Sequence, residues 1–183
     1  MPPFLSRAAF HHWTRTQLKG RFERVEGQVV AMAPERWVHA RLKARIWRAL
    51  DREITAAGLP CQAAPDGMTV EIDEDADYEP DALINCGPPI PDEAAAAPNP
   101  IVIVEVLSPG TASVDTGGKL ADYFRLDSVR HYLVVCTGRR EIIHHHWARG
   151  GIGERIETRI VRGGAIPLDP PGVSLSLDEV YGP

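Results

Sequence analysis

The residue with the clearest chemical potential is Glu105, which interrupts an otherwise apolar run. The run Ile101-Val-Ile-Val-Glu-Val-Leu107 is rich in β-branched residues and is bounded by prolines, which predicts a central strand buried on both faces. On such a strand, Glu105 shares a face with Ile103 and Leu107. A carboxylate there is costly unless a metal ion, a lysine or another basic group compensates its charge, or unless it lies near the open end of the strand. Glu105 is therefore a candidate catalytic residue, the alternative being a structural pair with an arginine.

A second acidic residue, Asp81, follows Pro80 and begins the stretch Asp-Ala-Leu-Ile-Asn, which predicts another short strand. Seven acidic residues lie within Glu71–Asp81, so Asp81 could also be a strand-end residue that caps a turn. Its carboxylate could instead converge on one cation with that of Glu105, 24 residues further along. Because Mg²⁺ prefers a few carboxylates and several waters, Asp81 and Glu105 predict a magnesium site at which Mn²⁺ would substitute.

Lys119 lies in the region that follows Glu105 and is the third candidate catalytic residue. Beside two carboxylates, its ammonium could orient or deprotonate an attacking water, or it could stabilise the charge that builds on a phosphate. The alternative is an ordinary lysine on the surface of a helix. Asp115 either caps this helix or reaches the same site, and Gly117-Gly118 predicts a late helix start or a close approach of a ligand to the backbone.

The triplet His144-His145-His146 indicates a different kind of metal site. On a strand, His144 and His146 share a face and could bind zinc as a pair. The sequence has neither a CxxC pair nor an HExxH motif, so structural roles for these histidines are favoured. It also lacks the GxxxxGK[ST] loop and the GxSxG elbow, which argues against P-loop and serine-hydrolase chemistry.

These residues require a scaffold in which strands and helices alternate. A strand, a helix and a second strand over residues 101–137 form a crossover unit, so the predicted fold class is α/β within one domain. A helix of about twenty residues begins near Pro34, and its apolar stripe consists of Val38, Leu42, Ile46, Ala49 and Leu50, with Arg41, Lys43, Arg45 and Arg48 on the other faces. The remaining predicted elements are a helix at 5–19, two strands that turn at Glu26-Gly27, short strands near 67–72 and 81–85, a hairpin of His131–Thr137 with Glu141–Ala148, a strand near 154–161, and loops at Gly87–Pro100 and Gly163–Gly172.

Length, charge and cysteine content narrow the class of protein. The 183 residues are 44% hydrophobic, as in one globular domain, and the longest apolar run has seven residues, too few to span a membrane. Residues 1–50 carry ten basic and three acidic residues, whereas residues 51–100 carry one and twelve. This asymmetry fits either a polyanion-facing surface beside a cation site, or a solvated helix face beside an acidic loop. Three cysteines without a CxxC pair predict no disulfide framework, and with no recognisable signal peptide they indicate a cytoplasmic protein.

An ordered series of motifs resembles the Uma-type family of putative restriction endonucleases, which belongs to the PD-(D/E)XK nuclease superfamily. The series covers about residues 20–148 and consists of Phe22-Glu23, Gly27-Gln-Val-Val-Ala-Met-Ala-Pro34, His39, Pro80-Asp81, Ile-Val-Glu105-Val-Leu-Ser-Pro, Asp115-xxx-Lys119-xxx-Tyr123 and His131-Tyr-Leu-Val-Val. The resemblance implies a restriction-endonuclease-like fold, with a central mixed sheet flanked by helices, in a single domain of residues 1–183.

The resemblance also implies an activity, the Mg²⁺-dependent hydrolysis of phosphodiester bonds in DNA, with Asp81 and Glu105 as metal ligands. The lysine of the superfamily normally follows the second acid by two residues, but that position is Leu107, so Lys119 would replace it. Glu23 and Asp115 would be accessory acids, His39 would line the site, and a homodimer is expected by analogy because a duplex has two strands to cut. The alternative is a nuclease-fold module that binds nucleic acid or protein with little or no catalysis.

Overall fold

The computed structural model describes residues 4–17, 19–31, 35–107, 116–148 and 155–182, which form an α+β fold. In chain order, the helices are α1 (Arg7–Thr16), α2 (Trp37–Ala57), α3 (Thr116–Tyr123) and α4 (Leu177–Tyr181). The strands are β1 (Phe22–Val25), β2 (Gln28–Ala31), β3 (Cys61–Pro65), β4 (Val70–Glu71), β5 (Asp77–Tyr78), β6 (Ala82–Cys86), β7 (Pro100–Leu107), β8 (His131–Cys136), β9 (Ile142–Trp147), β10 (Ile156–Val161), β11 (Ala165–Leu168) and β12 (Val173–Ser176).

The centre of the fold is a six-stranded sheet of order β10-β9-β8-β7-β6-β3. Strands β7 and β8 are parallel, so the connection that contains α3 is a crossover, whereas the other neighbouring pairs are antiparallel. Strand β7 is buried on both faces, with Val102 and Val104 in one core and Ile103 in the other. The predicted central strand and the predicted mixed sheet are therefore confirmed.

One face of this sheet is covered by α2, α4 and the hairpin of β11 and β12. The predicted stripe of α2 is buried there, with Leu42, Ile46 and Leu50 at 2% exposure or less. The helix ends at Gly58, whose φ of 61° is the left-handed conformation that glycine adopts readily at helix C-termini. No helix in the described ranges combines the length and the apolar character that a membrane span requires.

The other face is covered by α3 and by a second sheet of order β2-β1-β5-β4. Tyr78 of this sheet and Tyr123 of α3 pack in the same core as Ile103. Strands β1 and β5 are held together by a buried ion pair, in which Arg24 Nε donates to Asp77 Oδ2 at 2.7 Å. This pair holds the second sheet together, and the shared apolar core packs that sheet against the central sheet on the side to which Glu105 points.

The structure corrects two expectations. Cys61 and Cys86 lie opposite each other on β3 and β6 and form a disulfide, while Cys136 is free. The pairing arises from the register of the sheet, which a spacing of 25 residues along the chain does not reveal, and the cysteines thus give no argument for a reducing compartment. Gly163–Gly172, expected to be a loop, contains β11, because its apolar residues pack against α2 across the core.

Candidate active site

Glu105 lies in the interior of β7 and is only 5% exposed. Its Oε1 atom accepts two hydrogen bonds, one from Lys119 Nζ at 3.1 Å and one from the Tyr123 hydroxyl at 2.9 Å. Lys119 and Tyr123 are four residues apart on α3, so they share one face of that helix. The helix of the crossover therefore delivers a cation and a hydroxyl to the carboxylate that would otherwise be buried alone.

Glu23 of β1 meets the same lysine from the second sheet. Lys119 Nζ donates to Glu23 Oε1 at 2.9 Å, and the backbone N–H of Glu79 donates to the same oxygen at 3.1 Å. The ammonium also lies 5.0 Å from the centre of the Tyr78 ring. Lys119 is thus held between two carboxylates, and the second sheet supplies one of them.

Asp81 lies immediately before β6 and is hydrogen-bonded to β7 through both its backbone and its side chain. Its N–H donates to the Val104 carbonyl at 2.9 Å, and its Oδ2 accepts the Val106 N–H at 2.6 Å. The other oxygen, Oδ1, lies 2.7 Å from Lys43 Nζ of α2. Because Val104 and Val106 flank Glu105, these bonds place Asp81 alongside Glu105 on β7. We refer to Glu23, Asp81, Glu105, Lys43 and Lys119 as the carboxylate–lysine cluster.

The charges of the cluster perturb one another strongly. Burial raises the pKa of Glu105 to about 7, and the Asp81 and Glu23 carboxylates act in the same direction, while Lys119 and the Tyr123 hydroxyl oppose them. Burial disfavours the charged form of Lys119, but the attraction of Glu105 and Glu23 outweighs it and raises the pKa of this lysine. Lys119 therefore remains protonated at neutral pH, so its ammonium can stabilise negative charge but cannot serve as a base in this arrangement.

The donor set of the cluster is compatible with a divalent cation. Both candidate metal ligands are already paired with an ammonium group, since Lys43 contacts Asp81 and Lys119 contacts Glu105. Over the described ranges, no three His, Cys, Asp or Glu residues are arranged as a metal site. The protein would thus contribute two carboxylates and leave the rest of the coordination shell to water, as Mg²⁺ prefers.

A cavity of about 510 Å³ lies beside α3, and Lys119 is the member of the cluster that lines it. Lys119, Tyr78 and Asp122 line it, and the Tyr78 hydroxyl donates to Asp122 Oδ2 at 2.5 Å. Gly117 and Gly118 lie in the first turn of α3, and no atom lies within 4 Å of where a Cβ would stand on either. This open space is compatible both with a late helix start and with the close approach of a ligand, so both alternatives stay predictions.

Of the two remaining candidates, the structure describes His39. His39 lies four residues before Lys43 on α2, and its Nδ1 is buried without a hydrogen-bond partner among the described residues, but no contact joins it to the carboxylates. Asp115 lies outside the described residues. The sequence did not indicate Lys43, which was assigned to an outer face of its helix and is in fact 8% exposed.

His144 and His146 do share a face, and His131 joins them. His131 Nδ1 and His144 Nε2 are hydrogen-bonded at 2.9 Å, and the rings of His144 and His146 lie 4.7 Å apart. They line a cavity of about 290 Å³ on the α2 side of the sheet, opposite Glu105. The described residues form no metal cluster there, and two of the rings already bond to each other, so the zinc hypothesis gains no support.

Comparisons with known proteins bear on the family and the fold of this chain. A family model described as "Uma2: Putative restriction endonuclease" matches residues 7–178. The uncharacterized protein slr1290 of Synechocystis sp. (strain ATCC 27184 / PCC 6803 / Kazusa) is 25% identical over 180 residues, which cover 98% of this chain and 92% of that protein. A crystal structure described as a putative nuclease belonging to DUF820, from Anabaena variabilis ATCC 29413, superposes with a TM-score of 0.72 at 11% identity and covers 97% of both chains. At that identity, the likeness establishes the fold.

Proposed function

Because the chain belongs to the Uma2 family of putative restriction endonucleases, we propose that it is a metal-dependent endonuclease that hydrolyses phosphodiester bonds of DNA. The observation that carries this proposal is that Asp81 and Glu105 lie along the same stretch of β7, where Lys119, which also lines a cavity, pairs with Glu105. Buried charges are costly, and a structural role would need only one compensating pair. Three carboxylates and two lysines in one place favour a site that handles charge.

Asp81 and Glu105 would hold the metal ion, Mg²⁺ or Mn²⁺, which when bound polarises the scissile phosphate and lowers the pKa of an attacking water. The Val106 N–H fixes the Asp81 carboxylate, and the Tyr123 hydroxyl fixes that of Glu105. Lys119, kept protonated by Glu105 and Glu23, would stabilise the negative charge that develops on the phosphate. The exposed arginines of α2, Arg41 and Arg48, would contact phosphates further along the DNA.

We expect nicking of supercoiled plasmid at low salt that requires Mg²⁺ or Mn²⁺ and stops with a chelator. Asp81→Asn, Glu105→Gln and Lys119→Ala should each reduce the rate by about 10²-fold or more. The first two each remove a charge that would hold the metal ion, and the third removes the charge that would stabilise the reacting phosphate. The matched control is Lys19→Ala, which removes an exposed lysine outside the cluster. Folded Asp81→Asn and Glu105→Gln proteins that cut as fast as the unaltered chain would refute the assignment.

A second function, nucleic-acid binding with little catalysis, is favoured by one observation. Position 107, where the superfamily carries its lysine, is a leucine, and both candidate metal ligands are neutralised by lysines without any metal. Such a module would bind DNA with an affinity that falls steeply as the salt concentration rises, and it would cleave no DNA. Its DNA binding would persist in the Asp81→Asn variant. Fluorescence anisotropy with a labelled duplex, run beside the plasmid assay, separates the two functions.

A homodimer is proposed by analogy, because two copies would present two sites to the two strands of a duplex. Light scattering coupled to gel filtration, with and without a duplex oligonucleotide, measures the mass. A protein that stays at 20.1 kDa in both samples would contradict the dimer and leave the nuclease proposal intact.

A further inference from the structure

The chain uses lysine sparingly, and it places lysine where the candidate metal ligands are. Of its 20 basic residues, only Lys19, Lys43 and Lys119 are lysines. Two of these three are buried in the carboxylate–lysine cluster, each at 8% exposure. An ammonium is a compact charge on a flexible stem, whereas a guanidinium is a rigid fork that prefers fixed bidentate partners. The choice of lysine at position 43 therefore favours a cation that can change partners.

Lys43 has both an inner and an outer set of partners. Its Nζ lies 2.7 Å from Asp81 Oδ1 on the inner side and 3.2 Å from Asp66 Oδ2 on the outer side, where it also contacts Glu35. The side chains of Asp66 and Glu35 are about one third exposed, and that of Asp81 is 8% exposed. The ammonium thus bridges a buried carboxylate and two solvent-facing ones.

The two oxygens of the Asp81 carboxylate have different partners. Oδ2 accepts the Val106 N–H at 2.6 Å, which fixes it against β7, and Oδ1 is the oxygen that Lys43 contacts. Each oxygen keeps a second lone pair, but a divalent cation at Oδ1 and the ammonium already there would repel each other in a poorly solvated place. If the metal ion binds at Oδ1, this repulsion would favour movement of Lys43 away from Asp81, and its two outer partners would keep its charge paired.

We propose that Lys43 is a positioning residue that holds Asp81 in the metal-free protein and transfers its contact to Glu35 and Asp66 when a divalent cation binds. This inference rests on the proposed function, since it requires that Asp81 be a metal ligand. It assigns to the outer pair a role in metal affinity, although neither residue would touch the metal. Lys43 competes with the metal for one oxygen, so its removal should strengthen metal binding.

The test is calorimetric titration of Mn²⁺ into the protein without DNA. Lys43→Met retains the apolar stem and removes the charge, and we expect it to bind Mn²⁺ about tenfold more tightly than the unaltered chain. The control Lys19→Met removes an exposed lysine and should leave the affinity unchanged. A folded Lys43→Met protein with equal or weaker affinity would overturn the inference.

A second pair of variants tests the outer partners even if Lys43→Met does not fold. Asp66 and Glu79 both pair with Arg21, at 2.7 and 3.0 Å, but only Asp66 also contacts Lys43. Asp66→Asn should weaken Mn²⁺ binding severalfold more than Glu79→Gln does, because it removes one of the two outer carboxylates that would receive Lys43 and leaves Glu35 alone. If the two variants weaken Mn²⁺ binding equally, the effect is a general loss of negative charge, and the proposed transfer of Lys43 to its outer partners is refuted.

The same titrations keep this inference separate from the proposed function. Asp81→Asn should abolish Mn²⁺ binding, and if it does not, the assignment of Asp81 as a ligand fails and the inference fails with it. If Asp81→Asn abolishes binding while Lys43→Met leaves the affinity unchanged, the metal site stands and only the role of Lys43 falls. Binding that appears in Lys43→Met but is undetectable in the unaltered chain would support the competition directly.

Discussion

Glu105 shows how much of a site can be predicted from a single residue, and which contacts cannot. A carboxylate in an apolar strand predicts a compensating partner, and the structure supplies Lys119, which the motif order had indicated. The Tyr123 hydroxyl and the Lys43 ammonium complete the arrangement. Neither contact was predictable, because α2 and α3 reach the cluster from opposite faces of the sheet and no local pattern encodes which side chains meet across it.

The hydrogen bond from Tyr123 should shift the pH dependence of the proposed activity. It stabilises the ionised form of Glu105, whose pKa is about 7 because of burial first and of Asp81 and Glu23 next. Tyr123→Phe should raise that pKa in the metal-free protein, so protons should compete more strongly with the metal ion for Glu105, and cutting should fall most at pH 6–7 and recover towards the rate of the unaltered chain at higher pH. The rate is measured across pH beside Tyr181→Phe, whose hydroxyl donates to the Cys136 and Glu141 carbonyls and whose side chain packs against the core on the opposite face of the sheet. Profiles of identical shape would contradict this role.

At the scale of elements, the acidic stretch that precedes Asp81 is more ordered than its composition suggests. Its many charges are typical of an exposed loop, yet it contains β4 and β5, and Asp77 is 1% exposed. Asp77 accepts from Arg24 and from Arg7 Nε, at 2.7 and 2.9 Å. Distant arginines convert a sequence that looks solvated into strands, and pairing of this kind over 53 and 70 residues is invisible to local patterns. Strand β1, which carries Glu23 to the cluster, depends on it.

Removing one partner of this pair should cost much of the stability of the fold. Asp77→Asn leaves the buried Arg24 guanidinium with only the exposed Asp75 carboxylate, 3.9 Å away, to balance its charge, so the free energy of unfolding should fall by about 3–5 kcal/mol. Asp92→Asn is the matched control, since Asp92 is an exposed carboxylate outside this pair and its change should stay within about 0.5 kcal/mol. Urea denaturation followed by circular dichroism measures both. Equal unfolding midpoints for the two variants would show that the pair contributes little.

At the scale of the whole molecule, the sequence predicted the elements that have strong local periodicity. The stripe of α2, the buried run of β7 and the alternation of β8 and β9 all appear in the structure. Strand β3 and the hairpin of β11 and β12 did not stand out, because their short segments contain glycine or proline and gain order only by packing against the central sheet and α2. The layered architecture followed from the resemblance, which also indicated Glu23 as an accessory acid, whereas the position of Lys43 needed the structure.

The histidines beneath the sheet predict how the stability of the whole molecule varies with pH. Burial lowers the pKa of His131 to about 4, with a smaller effect of His146, and burial together with His131 lowers that of His144 to about 3. Unfolded histidine has a pKa of about 6.5, so between pH 6.5 and about 4 the unfolded chain binds more protons than the folded one. Stability is therefore fully present above pH 6.5 and is lost as the pH falls, by about 1.4 kcal/mol per pH unit for each histidine.

His144→Gln should flatten this dependence. The free energy of unfolding of the unaltered chain should fall more steeply from pH 6.5 to 4 than that of the variant, whereas the control His12→Gln, at an exposed position on α1, should follow the unaltered chain. The comparison of slopes cancels the contribution of Glu105, whose raised pKa acts in the opposite sense in both proteins. A variant with an unchanged slope would exclude His144 as a source of acid sensitivity.

The burial of two lysines also has a practical consequence for bench work. Reagents that acylate primary amines require a solvent-accessible, unpaired amino group, and both Lys43 and Lys119 are at 8% exposure and engaged with carboxylates. Lys19 is the exposed lysine side chain, so a fluorescent succinimidyl ester should attach there in preference to the other two. Of the three lysines, Lys19 should therefore carry the dye, while the α-amino group of the chain would react as well.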